Sequence, residues 1–121
     1  MRTVLNAIES GQVVGKWRAE SFDGKSPETL FIDSACLELR ADGKCTFEVR
    51  MSEAYGCAFF PWGSGNWRIV GGVLEYHPDE GGDLWAGIEL NAGRAELTLS
   101  PDPFIALEGE TVRRGVYRRH A

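Results

Sequence analysis

No apolar run in the 121-residue chain approaches the ~20 residues a helix needs to cross a bilayer, so a helical membrane span is excluded. A basic block is missing as well. Thirteen lysines and arginines face eighteen aspartates and glutamates, a net charge of -5, and a surface of that sign is a poor partner for phosphate backbones. Cysteine is sparse and odd in number: Cys36, Cys45 and Cys57 are irregularly spaced, which fits reduced thiols rather than a disulfide framework. With only His77 and His120 beside them, a zinc site would need distant ligands outside any spacing motif. Met1 to Ser10 lacks the apolar core and cleavage site of a signal peptide, so the expectation is a cytoplasmic protein.

Catalytic signals are equally thin. No nucleophile stands in a recognisable motif, and Glu20, Glu38, Glu48, Glu75 and Glu89 fall on predicted outer faces. The loop from His77 to Asp83 carries three carboxylates but lacks the alternating oxygen ligands of a calcium loop, and His77 alone does not make a haem site. The chain therefore reads as a non-enzyme with no metal and no cofactor.

What is present is alternation. Trp17, Ala19 and Ser21 interleave with Lys16, Arg18 and Glu20, the period of a half-buried strand. Leu37 and Leu39, then Cys45, Phe47, Val49 and Met51, make apolar faces on either side of Asp42-Gly43, a pair favoured in tight hairpin turns. Trp67 and Ile69 are followed across Gly71-Gly72 by Leu74 and Tyr76, which predicts a second hairpin. A third joins Leu84, Ala86, Ile88 and Leu90 to Ala95, Leu97 and Leu99, with Trp85 on the opposite face.

Strands are thus expected from about Val14, Ala35, Lys44, Gly65, Val73, Leu84, Arg94 and Val112. Eight strands joined mostly by tight turns predict a single all-β domain spanning 1–121, an antiparallel up-and-down barrel closed on itself. A sandwich or a half-barrel on a helix is the alternative. Val4, Leu5 and Ile8 suit a short helix ending before Gly11, a cap over residues 1–11 that packs on one barrel end. Between Asp23 and Ser34 the residues Leu30, Phe31 and Ile32 read as a flap or short helix across an opening, and Phe104, Ile105 and Leu107 as apolar anchors of a proline-broken connection.

Gly15-Lys16-Trp17 on the first strand, Gly65-Asn66-Trp67 in mid-chain and Tyr117-Arg118-Arg119 on the last resemble the lipocalin-like proteins of the calycin superfamily, which includes the fatty-acid-binding proteins. In that family the first-strand Trp lies across one barrel end and an Arg of the final strand packs over its ring. The resemblance implies a lipocalin-like barrel with Gly15, Trp17, Trp67 and Arg119 as closure residues, Arg119 being the stacking arginine because it shares a face with Tyr117. The disulfide of secreted lipocalins and the two-helix insertion of fatty-acid-binding proteins have no counterpart here.

An eight-stranded barrel admits one small ligand or is filled by its own side chains. In the first case Phe47, Val49, Met51, Leu74, Tyr76 and Ile88 would hold the tail of a small apolar or amphipathic molecule, and Arg113 with Tyr117 would grip its acid head. In the second the protein would act through its outside as a homodimer or partner-binding module. Tyr55, Phe59, Phe60 and Trp62, with Trp85, would then be the contact surface. The aromatic segment 52–62 suits either use, as a lid folded inward or as an interface.

Overall fold

The computed structural model describes residues 10–51, 62–107 and 110–120. After a short helix, α1 (Ser10–Val13), come β1 (Gly15–Phe22), a 3-10 turn (Pro27–Leu30), β2 (Ile32–Leu39), β3 (Lys44–Met51) and β4 (Trp62–Val70). The chain continues through β5 (Val73–Pro78), β6 (Leu84–Asn91), β7 (Glu96–Ser100), the two-residue strands β8 (Ala106–Leu107) and β9 (Glu110–Thr111), and β10 (Gly115–His120). Eight of these close an antiparallel barrel in the order β1-β10-β7-β6-β5-β4-β3-β2, while β8 and β9 pair separately. None of the described helices is long and apolar enough to cross a membrane.

The period of two explains the closure. In β2 and β3 the residues Ala35, Leu37 and Leu39, with Cys45 and Val49, are buried and meet one another from facing strands, leaving the charged alternates outside. The Asp42-Gly43 turn has Gly43 at φ 86, and the Asp42 side chain accepts from the Lys44 backbone N–H at 3.0 Å. At Gly71-Gly72 both residues have positive φ, which the tight β4–β5 hairpin requires.

The final seam pairs Trp17 with Arg119 and Phe22 with Gly115. Asp23 reinforces it, because its carboxylate accepts from the backbone N–H groups of Arg114 (2.8 Å) and Arg113 (3.3 Å), and its own N–H donates to the Arg114 carbonyl.

Several boundaries depart from the sequence reading. The described helix runs through Gly11 rather than stopping before it, and places Val13 in the core; Val4, Leu5 and Ile8 lie outside the described residues. The flap between β1 and β2 is a 3-10 turn capped by Ser26, whose side-chain oxygen accepts from the Thr29 N–H. β2 begins three residues earlier than alternation alone indicated, at Ile32. The last strand begins at Gly115, because Val112 to Arg114 are held by Asp102 and Asp23 instead of by a neighbouring strand.

Candidate functional site

The two ends of the barrel are closed by different means. At the end bearing α1, Trp17 is 0% exposed and its indole Nε1 donates to the Val13 carbonyl at 2.8 Å. The Arg119 guanidinium sits 4.3 Å from the centre of the Trp17 ring. Its Nη1 donates to the Val14 carbonyl and its Nη2 to the Gln12 carbonyl, both at 2.9 Å. A planar cation suits this position, since one face covers the indole while the edge satisfies carbonyls at the rim. Gly15, at φ 141, leaves room for Nη1, which a Cβ there would meet at 2.6 Å. Trp67 performs a parallel task one hairpin away, donating from Nε1 to the Arg40 carbonyl at 3.0 Å and so tying β4 to the β2–β3 turn.

The opposite end is covered by a strap, the described residues 101–107 and 110–114 of the connection from β7 to β10. It is rooted in β7 and β10, where Ser100 Oγ donates to the Arg113 carbonyl and the Asp102 N–H to the Val112 carbonyl. From there it reaches across the interior. The ring of Phe104 packs on Phe47 of β3, with centroids 5.4 Å apart, and on Tyr76 of β5, at 4.9 Å. Those strands stand away from β7 and β10 in the strand order, so the segment crosses the lumen rather than following its wall. Phe104 is 6% exposed, a burial that contributes about 2 kcal/mol, with up to about 1 more from the tilted ring pairs.

Behind Phe104 lies a buried carboxylate. Asp102 is 2% exposed; it accepts from the Tyr117 hydroxyl at 2.5 Å and from the Phe104 N–H at 2.8 Å, and a backbone hydrogen bond from Ile105 adds to these. Loss of water outweighs these donors, and the Asp102 carboxyl is pushed up to about 6. Tyr117, fully enclosed and facing that carboxylate, is raised well above the ordinary phenol range, first by burial and then by the Asp102 charge. Gly115 makes the arrangement possible, because any Cβ there would collide with the Asp102 carboxylate. Phe22 meets the edge of the Tyr117 ring at 6.2 Å.

Of the residues singled out as lumen lining, Val49, Leu74, Tyr76, Ile88 and Tyr117 are buried in the core, while Phe47 and Met51 are partly buried against it. The ring of Phe47 occupies the space above Gly63, where a Cβ would meet it at 2.7 Å. Arg113 does not join them. It precedes β10 in the strap and is exposed, so it does not share the interior with Tyr117; the polar side chain beside that hydroxyl is the acidic Asp102. The sequence hinted at this only through an Asp set between two prolines ahead of an aromatic residue, a pattern that reads as a turn.

Of the proposed contact surface, Tyr55, Phe59 and Phe60 lie outside the described residues, as does the side chain of Trp62 at the start of β4. Trp85 is on the outer face of β6, 57% exposed, next to Leu84 at 39%. A groove of about 450 Å³ is also lined by β1 to β4 and by His120 of β10, its polar residues Lys16, Glu38, Thr46, Glu48 and Ser64 standing beside Trp17, Leu37 and Phe47. Lys16 stands opposite both Glu38 and His120 across the strands, so charges of both signs alternate there and the groove has no field of one sign.

Among the described residues no three His, Cys, Asp or Glu side chains gather as a metal site. Cys36 and Cys45 are free thiols, and burial pushes Cys45 up to about 12, far from a nucleophilic thiolate. Set beside known protein families, curated proteins and solved structures, the chain matches none.

Proposed function

We propose that this chain is a non-catalytic, lipocalin-like binding barrel that takes a small apolar or amphipathic molecule into its lumen from the strapped end. The observation that carries the reading is the asymmetry of closure. One end is sealed by α1, Trp17 and Arg119 through a stack and three hydrogen bonds to carbonyls. At the other, the interior is filled by a connection that inserts Phe104 rather than by strand side chains alone. A connection between β7 and β10 that belongs to no barrel ladder can leave the lumen with those ladders intact; the side chains of β1 cannot.

Native mass spectrometry of the chain purified from its source without detergent tests the reading. A retained adduct of a few hundred daltons, released on denaturation, is the expected result, and consistently adduct-free protein that also ignores added dodecanoate would contradict it.

A second reading, association through the outer face, is favoured by the exposed Trp85 and Leu84. It predicts a concentration-dependent homodimer in sedimentation that Trp85→Ser abolishes.

A further inference from the structure

We infer that Asp102 and Phe104 are a built-in occupant of the binding site, and that the molecule they stand in for is a neutral arylalkyl carbonyl compound: an aromatic ring joined by a short spacer to an oxygen acceptor. This rests on the lumen-binding reading above and specifies its ligand.

The ring half of the inference comes from packing. Among the described residues of the strap, Phe104 packs against both Phe47 and Tyr76, its ring tilted 55° and 53° to theirs, a seat shaped for a flat six-membered ring. The acceptor half comes from Tyr117, a fully buried hydroxyl whose partner is the Asp102 carboxylate and so is supplied by the same strap. If the strap withdraws, both sites are vacated together. A ligand that fills only the ring seat leaves a buried donor unpaired, and a ligand with an oxygen in the right place does not.

The spacer follows from the chain itself. The Asp102 carboxylate also accepts from the Phe104 N–H at 2.8 Å, and that nitrogen is separated from the ring by Cα and Cβ alone. That bond is made by Oδ1 whereas Tyr117 donates to Oδ2, so with single bonds near 1.5 Å the oxygen facing Tyr117 lies at most roughly 8 to 9 Å from the nearest ring carbon. A short alkyl spacer of two to four atoms keeps ring and oxygen within that limit.

Neutrality follows from what the strap removes when it leaves. The Asp102 carboxylate is supported by the Phe104 and Ile105 N–H groups, yet burial still pushes its carboxyl up to about 6. A ligand carboxylate would suffer the same desolvation with those two donors gone, and Arg113 is exposed outside. A ketone, ester or amide oxygen accepts from Tyr117 without that penalty.

The test compares three probes, 4-phenylbutan-2-one, n-butylbenzene and 3-phenylpropanoate, on the full-length chain and on Asp102→Ala/Phe104→Ala, with dodecanoate as a parallel arm. The double variant is expected to bind the ketone at least about tenfold more tightly than wild type, whose own residues compete. It should prefer the ketone about tenfold over butylbenzene and over the carboxylate, and Tyr117→Phe in that background should erase the preference over butylbenzene. Equal binding of ketone and butylbenzene overturns the assignment of Tyr117 as the acceptor's partner. Binding of dodecanoate without any aryl probe overturns the whole inference while leaving the lumen-binding reading intact; binding of nothing removes both. Should the double variant not fold, titration of wild type followed by NMR decides. Ketone-dependent shifts of the Phe104 and Ile105 amides support the inference, and their absence at saturating ketone refutes it.

Discussion

Arg119 covers the face of Trp17 at 4.3 Å while its two terminal nitrogens hold the carbonyls of Val14 and Gln12. One side chain of the last strand thereby fixes the first strand and the helix before it. Replacing it with lysine keeps the charge but loses the planar fork, so at most one carbonyl retains a donor. Arg119→Lys is expected to cost about 1–2 kcal/mol in urea denaturation and to alter the emission of Trp17. An unchanged midpoint would show that the stack contributes nothing to closure.

Asp102 sets a pH dependence of unusual sign. Its carboxyl is raised from 3.8 to about 6, so the contribution of the protonated form to stability is fully present below pH 3.8 and is lost as pH rises through 6. At about 1.4 kcal/mol for each pH unit between the two values, up to about 3 kcal/mol disappears across that window. Asp102→Asn removes the titration. The stability of this variant relative to wild type should therefore climb between pH 4 and 6 and level off above, which denaturant curves at four or five pH values will read. A flat difference would contradict the burial of an ionisable carboxyl here.

Gly115→Ala tests the same pocket by volume. The new methyl meets the Asp102 carboxylate, which must shift away from the Tyr117 hydroxyl. The expected cost is about 1–3 kcal/mol, and it should shrink when combined with Asp102→Ala, where the collision no longer exists.

Thiol chemistry separates the two described cysteines. Cys45 is enclosed and its thiol is pushed up to about 12, whereas Cys36 on the outer face of β2 is partly exposed. In a Cys57→Ser background at pH 8, a disulfide reagent should label one thiol per native chain. The second should react only at the rate of unfolding. Rapid labelling of both would contradict the packing of β3 against the core.

Much of the barrel was legible in the sequence because a half-buried strand must alternate. Leu37, Leu39, Cys45 and Val49 could be assigned to the inside from spacing alone, and Asp42-Gly43 and Gly71-Gly72 marked their hairpins by turn chemistry. The stacking of Arg119 on Trp17 was an expectation of the family resemblance, and the odd-even match with Tyr117 along one strand served only to choose Arg119 for it. The strap was not. Its path depends on Asp102 and Phe104 meeting Tyr117, Tyr76 and Phe47, partners 15 to dozens of residues away, and no periodicity encodes such contacts. Assigning Arg113 to the interior failed for a related reason: alternation was extended back past Gly115, where Asp23 and Asp102 hold the backbone and the ladder has not yet begun.

The bond from Arg118 to Glu20 joins residues 98 positions apart, and that from Arg119 to Gln12 joins residues 107 apart. Every other ladder of the cylinder links consecutive barrel strands, β7 and β10 being separated only by the strap. The sheet can therefore zip hairpin by hairpin, but its final edge-to-edge contact must wait for a search over nearly the whole polypeptide. Until then β1 and β10 each keep one hydrogen-bonding edge open to neighbouring molecules, so refolding yield should fall as protein concentration rises.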